Sequence, residues 1–387
     1  MRLAQRLAVA ALACLAGAAH AQSAAPIKVG IALDISGPFA SLGADARDGF
    51  DLAIEKLGGT LGGQPAEFLK TDFAGSPEQA TQLVNRYLQR DKIQFFTGPI
   101  ASNSALAVAP LLFKAKVPFL SNNPGPSQFA GKQCNAYFFG QYQNDTYDEA
   151  AGKLANEKGY KHMVILAPNY PAGKDHLNGF KRLYKGDLKD EIYTKVGQID
   201  YAAEIAQIRA AKPDAVFFFL PGGMGINFIK QYVAGGLKGI PLIAPGFSAD
   251  QDVINAVGED MIGLQNTAHW THDLDLPANK AFVADFRKKY ERYPTVYAAM
   301  AYDTIMAMDA AVKDAGGASD PDKLVQALAK PSFTSLRGDF TYGPNQYPIQ
   351  DYYLRVVAKD ADGKVTNKLV ERILTRHQDA YVADCKR

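Results

Sequence analysis

Two stretches of this chain share one design. Phe95-Phe96-Thr97-Gly98-Pro99 is an apolar run of strand length that ends in Gly and Pro, and a helical stretch leads from it to a second short strand, Val117-Pro118-Phe119-Leu120-Ser121. Phe217-Phe218-Phe219-Leu220-Pro221-Gly222 opens the same pattern, which closes at Ile240-Pro241-Leu242-Ile243-Ala244-Pro245. The first strands lie 122 residues apart (Phe95 to Phe217) and the second 123 apart (Val117 to Ile240). Each unit reads as strand, Gly/Pro loop, amphipathic helix and strand, so the pair predicts two similar α/β lobes. In open parallel sheets ligands bind beyond the carboxyl ends of the strands, where these loops lie. Two lobes facing each other through the loops enclose a cleft.

The first residues carry an export signal. Arg2 and Arg6 precede an apolar run, Leu7 to Ala19, that is too short to span a membrane, and Ala19-His20-Ala21 is a small-residue cleavage site before Gln22. Cleavage after Ala21 sends the product to the periplasm. It removes two arginines and no acid from 42 Lys+Arg and 40 Asp+Glu, leaving the mature chain balanced. That balance gives no reason to expect nucleic acid or an anionic membrane as partner. The mature length exceeds what one hydrophobic core supports, which again predicts two lobes. No later apolar stretch approaches the ~18 residues of a membrane span. Cys14 leaves with the signal; an even pair, Cys134 and Cys385, in an exported chain predicts one disulfide rather than two buried thiols.

The strand–helix alternation runs through Ile27–Leu33, Gly43–Leu57, Phe68–Phe73, a helix opened by Ser76-Pro77-Glu78-Gln79, Ile93–Thr97, Ser104–Phe113 and Val117–Leu120. A polar stretch, Gln141 to Asp148, precedes its restart at Met163–Ala167. Further strands are expected at Glu191–Val196, Val216–Leu220, Leu242–Ala244 and Ile262–Thr267. Pro277 to Ala329 reads as helical, and Leu336–Phe340, Tyr352–Val357 and Leu369–Leu374 as strands.

At Asp34-Ile35-Ser36-Gly37-Pro38-Phe39-Ala40 and the following Gly43, the chain resembles the periplasmic solute-binding proteins of the leucine/isoleucine/valine-binding family, the soluble receptors of ABC importers. The resemblance continues through Gly98 to Ser102, Val117 to Asn123, Asn169-Tyr170, Gly235-Gly236-Leu237-Lys238-Gly239-Ile240-Pro241 and Tyr302-Asp303, and so covers nearly all of the mature chain. It implies the type I periplasmic-binding-protein fold: two doubly wound parallel-sheet lobes joined by a three-crossing hinge and closing on a small solute. The expected division is a signal peptide over 1–21, lobe 1 over 26–141 and 272–332, lobe 2 over 142–271 and 333–374, and a C-terminal tail over 375–387.

The resemblance also implies roles. A serine that meets the ligand carboxylate falls on Ser102, and further carboxylate contacts from main-chain N–H groups and a hydroxyl fall on Asn123-Pro124-Gly125. Gly125 stands where a threonine can stand and brings no hydroxyl. The aromatic that covers the ligand from the second lobe falls on Tyr170. The carboxylate that receives an ammonium in amino-acid binders aligns with Gly246, and that departure argues against an α-amino-acid ligand. The residues read alone agree. Glycine-rich loops and helix N-termini present unpaired N–H groups that suit a carboxylate, whereas a buried ammonium needs a paired anion. The nearest acid to Gly246 is Asp250, placed where it can cap a helix. The loops carry Phe39, Tyr142, Tyr170 and Phe247, and Leu42 and Pro221 complete the candidate ligand set.

Other chemistry lacks its motifs. Gly-x-Ser-x-Gly and His-Glu-x-x-His are absent, and Gly223-Met224-Gly225 is followed by Phe228 where a dinucleotide fingerprint needs its third glycine. His269 and His272, near Asp273 and Asp275, lack a third partner at metal-ligand spacing and read as a solvated loop; Trp270 between them is read as packing or as a cleft aromatic. The sequence therefore predicts a monomeric periplasmic receptor with no enzymatic activity, cofactor or metal. It closes over a small carboxylate, with aromatic acids the preferred class and branched-chain amino acids the alternative, and presents the closed form to an inner-membrane permease.

Overall fold

The computed structural model describes residues 25–387, so the Met1–Ala21 leader and its cleavage site lie outside the described residues. Strands β1 (Ile27–Leu33), β2 (Thr60–Leu61), β3 (Gln64–Asp72), β4 (Phe95–Thr97), β5 (Phe119–Ser121) and β6 (Phe138–Gly140) form one sheet in the order β2-β3-β1-β4-β5-β6. β1 pairs in parallel with β3 on one side and β4 on the other, so the winding reverses there. The second sheet comprises β7 (His162–Pro168), β8 (Asp187–Thr194), β9 (Ala215–Phe218), β10 (Leu242–Pro245), β11 (Gln265–Ala268), β12 (Thr341–Tyr342), β13 (Pro348–Lys359) and β14 (Val365–His377). Its order is β12-β13-β11-β10-β9-β7-β8, with β14 on β13. β7 pairs in parallel with β8 and with β9 and is the second reversal point. β13 and β14 are antiparallel additions.

The helices follow from pattern and caps. Those that matter below are α1 (Ala40–Lys56), α2 (Pro77–Arg86), α3 (Ser102–Lys114), α4 (Asn144–Glu157), α5 (Pro171–Leu183), α6 (Pro277–Tyr290) and α7 (Val296–Ala315). Ser76 caps α2 by accepting from the Gln79 amide at 3.3 Å, and the helix buries Ala80, Leu83 and Val84. The polar stretch from Gln141 hides the start of a helix: the Gln143 side chain accepts from the Thr146 amide at 2.9 Å, and the first turn of α4 is buried despite its polarity.

The chain passes between the sheets three times. It leaves the first after β6 into α4, which packs on α5 of the second lobe. It returns after β11 through α6 and α7. Gly49 of α1 meets α7 so closely that a Cβ there would lie 2.1 Å from the Ala298 oxygen, which fixes α7 to the first lobe. The third passage is the segment expected as a strand at Leu336–Phe340, and it is irregular instead. Its polar groups bond to side chains rather than to a ladder: the Leu336 amide donates to Asp303 at 3.1 Å, and the buried Arg337 guanidinium donates to the Gln141 carbonyl at 2.5 Å and to Gln350 at 3.0 Å. Arg337 thus stitches the first and third passages together.

After β14 the tail runs back to the first lobe. Cys385 is joined to Cys134, with Cα atoms 5.6 Å apart, and Arg387 donates to Gln346 at 2.8 Å. Mature protein analysed without reductant should therefore weigh two hydrogens less than the reduced chain and expose no thiol on denaturation. Reduction should lower the unfolding free energy by about 2–5 kcal/mol, because the bond closes a long loop in the unfolded chain. Two titratable thiols in the oxidised, denatured protein would contradict the bridge.

Candidate functional site

A narrow cavity lies between the lobes. Thirteen of its fifteen lining residues stand just past the carboxyl end of a strand. Phe39 and Leu42 follow β1, Ile100 and Ser102 follow β4, Asn123 and Pro124 follow β5, and Tyr142 and Asn144 follow β6. Tyr170 and Ala172 follow β7, Phe219 and Pro221 follow β9, and Phe247 follows β10. Both reversal points thus open onto one space, as the geometry of doubly wound sheets requires. The remaining two, His176 and Tyr297, come from α5 and α7. Wider surface cavities lie at the amino ends of β10 and β11 and between α6 and α7, but neither is lined by the loops at the carboxyl ends of the strands.

The lobes meet around the cavity. The Phe39 and Tyr170 rings, one from each lobe, have centroids 6.1 Å apart. Tyr142 lies 4.9 Å from Phe247, and Phe247 lies 5.6 Å from Tyr297. At the rim Ser41 reaches Asp252 at 3.5 Å. Gly222, held at φ +61, approaches Ser41 and Leu42 so that a Cβ would lie 3.1 Å from the Ser41 hydroxyl.

The lining contains no Asp, Glu, Lys or Arg. Its polar groups are arranged as donors near the start of α3. Ala101 at the N-cap has no side-chain acceptor, so the first-turn amides of this 13-residue helix are uncapped. The loop before it depends on Gly98, at φ +117, where a Cβ would lie 2.2 Å from the Ala32 oxygen. Ser102 accepts from Asn144 Nδ2 at 3.3 Å, which leaves its own proton to donate. Asn144 Nδ2 also donates to Asp175 at 3.1 Å.

Of the ten candidate residues from the sequence, eight line this cavity: Phe39, Leu42, Ser102, Asn123, Tyr142, Tyr170, Pro221 and Phe247. Gly125 and Gly246 do not. The Gly125 amide donates to Asn144 Oδ1 at 3.0 Å, and a Cβ there would lie 2.1 Å from the Tyr142 oxygen, so this glycine lets two loops touch. Since Pro124 has no N–H, the expected main-chain donors of that loop reduce to Asn123, whose side chain is itself tied to the Ile100 carbonyl at 2.8 Å. At Gly246 the place of a side chain is filled by the Arg355 guanidinium and the Tyr147 hydroxyl, 2.6 and 2.7 Å from where a Cβ would stand. Asp250 is sealed away as well: it accepts from the Val296 amide at 2.6 Å and the Gln251 amide at 3.0 Å, and Arg355 lies 3.9 Å off.

Trp270 is fully buried and donates to Asn279 at 2.8 Å, so it belongs to the core. The His269 and His272 loop is not solvated as expected. His269 is buried beside Tyr142, and His272 stacks on Tyr293 with centroids 4.4 Å apart. Five lining residues carry no mark in the sequence that singles them out: Ala172, His176 and Tyr297 inside helices, Phe219 within the repeat unit, and Asn144 in the concealed first turn of α4. His176 is buried, its ring is stacked on Phe219 at 3.7 Å, and Nδ1 is bonded to Asp148. Burial holds the imidazole down at about 3 and pushes the Asp148 carboxyl well above the carboxylate range.

Residues 26–364 match the periplasmic binding protein family. A solute-binding protein of an ABC transporter from R. palustris, solved in complex with benzoate, is 32% identical with a TM-score of 0.88, over 94% of this chain and 100% of that one. Another, from Rhodopseudomonas palustris BisB5 in complex with 3,4-dihydroxybenzoic acid, is 30% identical with a TM-score of 0.86, over 92% and 99%. The Leu/Ile/Val-binding protein homolog 6 of Brucella melitensis biotype 1 is 30% identical over 95% of this chain and 96% of its own length. With two parallel-sheet lobes, three passages and an inter-lobe cavity already established, the chain belongs to the periplasmic binding protein family.

Proposed function

We propose that this protein is the periplasmic receptor of an ABC importer, that it closes over a small aromatic carboxylate, and that it hands the ligand to an inner-membrane permease as a monomer without transforming it. One observation carries the ligand class: the cavity is walled by aromatic rings and contains no acid. A carboxylate placed at α3 gains the uncapped first-turn amides and the Ser102 proton, and the helix dipole favours an anion there. Phe39, Tyr170, Phe219 and Phe247 offer apolar walls to a flat apolar body once the lobes part to admit it. An α-ammonium has no partner, and an unpaired buried ion costs several kcal/mol. Asp250 cannot take that role without giving up Arg355 and two amides. The benzoate and dihydroxybenzoate complexes of the R. palustris relatives support the same class, whereas the name of the Brucella relative favours branched-chain amino acids.

Calorimetry on the mature protein should find benzoate-, phenylacetate- or cinnamate-like acids bound at least ~100-fold more tightly than leucine or valine, a gap of about 2.7 kcal/mol. Micromolar leucine binding with no response to aromatic acids would overturn the assignment. Tyr170→Ala should weaken binding of the aromatic acid by about 1–3 kcal/mol, the scale for burying a large apolar side chain, while the melting temperature of the free protein stays near wild type. Unchanged affinity would make Tyr170 a packing residue.

A further inference from the structure

We propose that His176 recognises the ligand directly: its Nε2–H donates to an oxygen of the bound acid, and Asp148 fixes the ring so that the proton stays on that nitrogen. The inference rests on the aromatic-acid reading above and adds a donor from the second lobe to those of the first. Among the described residues the hydrogen bond of His176 runs from Nδ1 to Asp148, which leaves Nε2 for the cavity that the ring lines. The ring has no freedom to turn away. It is stacked on Phe219 with an interplanar angle of 22° and meets Phe247 edge-on at 5.9 Å.

Counting protons fixes the role of Nε2. A neutral Asp148–His176 pair with its proton in the Oδ2–Nδ1 bond is either a protonated acid against a neutral imidazole or a carboxylate against an imidazolium, and in both Nε2 bears a proton. The third arrangement, with the acid's proton on Oδ1 and Nε2 bare, would bury a hydroxyl that has no acceptor. Removing that proton would leave a negative charge on a fully buried pair, and Asp148 Oδ1 has no partner to share it. The charged neighbours do not offset such a charge. Asp175 beside it on α5 is another acid, bonded to Ser127 and Asn144; on α4, Asp145 and Glu149 occupy Arg182; Tyr147, Phe219 and Phe247 are uncharged. Burial acts in the same direction, lowering the imidazole and raising the carboxyl. The second lobe contributes two nitrogen-bearing side chains to the cavity: Asn144, whose Nδ2 is engaged by Ser102 and Asp175, and His176. An acid held by α3 and Ser102 from one lobe and by His176 from the other bridges the cleft, so the bond forms only on closure.

The test uses mature protein, benzoate and 4-hydroxybenzoate. His176→Phe should bind the ligand that uses this donor about 10- to 100-fold more weakly, the scale of a hydrogen bond to a charged acceptor. Equal losses for both ligands place the bond on the carboxylate; a loss confined to 4-hydroxybenzoate places it on the ring hydroxyl. Asp148→Ala should weaken binding more than Asp148→Asn, whose amide can still donate to Nδ1 and keep the proton on Nε2. Long-range 1H–15N spectra of the wild-type complex should show a protonated Nε2, a readout that needs no variant to fold. Wild-type binding with His176→Phe unimpaired, or an unprotonated Nε2 in the complex, overturns this inference alone. Failure of the wild type to bind either acid overturns the aromatic-acid reading with it.

Discussion

A cavity lined by no Asp, Glu, Lys or Arg leaves backbone amides and neutral donors to meet any charge that a bound solute brings. Everything about the site follows from that constraint. The uncapped start of α3 is tolerable because it faces the cavity, where an anion can satisfy it. Gly98 is required because the loop that delivers α3 to this place runs against Ala32 of β1. Ser102 and Asn144 are oriented by each other and by Asp175 rather than by a counterion. The same neutrality that suits a carboxylate disfavours an ammonium, since no acid lines the space and the acids behind it are committed: Asp148 to His176, Asp175 to Ser127 and Asn144, and Asp250 to backbone amides.

Closure depends on how the lobes are joined. Three passages connect them, and Arg337 binds the first to the third through Gln141 and Gln350. The C-terminal tail adds a covalent tie on the first lobe, while Tyr381 bonds to Asp145 and lies over Arg182 in the second. The contacts across the cleft are non-covalent and include the Phe39–Tyr170 rings, Phe247 against Tyr297, and the hydrogen bonds of Ser41 with Asp252, Val296 with Asp250 and Ser127 with Asp175. Rigid lobes tied along one side and touching through non-covalent contacts on the other are built for hinge motion around a ligand. The aromatic contacts span the lobes, so a ligand inserted among them gains from both walls at once.

Much of this is legible in the sequence, for a physical reason. Strands buried on both faces leave continuous apolar runs, and the loops after them carry Gly and Pro, so the pattern of residues alone puts Phe39, Ser102 and Tyr170 at carboxyl ends. What stays hidden lacks such local marks. Asn144 sits in a polar segment whose cap is a Gln143 side chain, and polarity conceals the helix. His176 and Tyr297 lie inside helices, where only the docking of one element on another decides which side chain reaches the cavity. Leu336–Phe340 has the composition of a strand but spends its polar groups on Asp303, Gln141 and Gln350, a choice set by the hinge. Gly125 and Gly246 are placed at the ligand by resemblance, yet each is a glycine because a neighbouring loop or an arginine fills the space of its side chain.

The neutrality of the cavity is tested most directly by two ligands that differ in a single group. In 3-phenylpropanoate and L-phenylalanine the ring, chain and carboxylate are the same, and only the ammonium distinguishes them. Competition for one labelled aromatic acid on the mature protein at neutral pH should show 3-phenylpropanoate displacing the label and L-phenylalanine failing to do so at ~100-fold higher concentration, as an unpaired buried ammonium demands. Equal displacement by both, or stronger displacement by the amino acid, would mean that an anion does reach the ligand and would contradict the account.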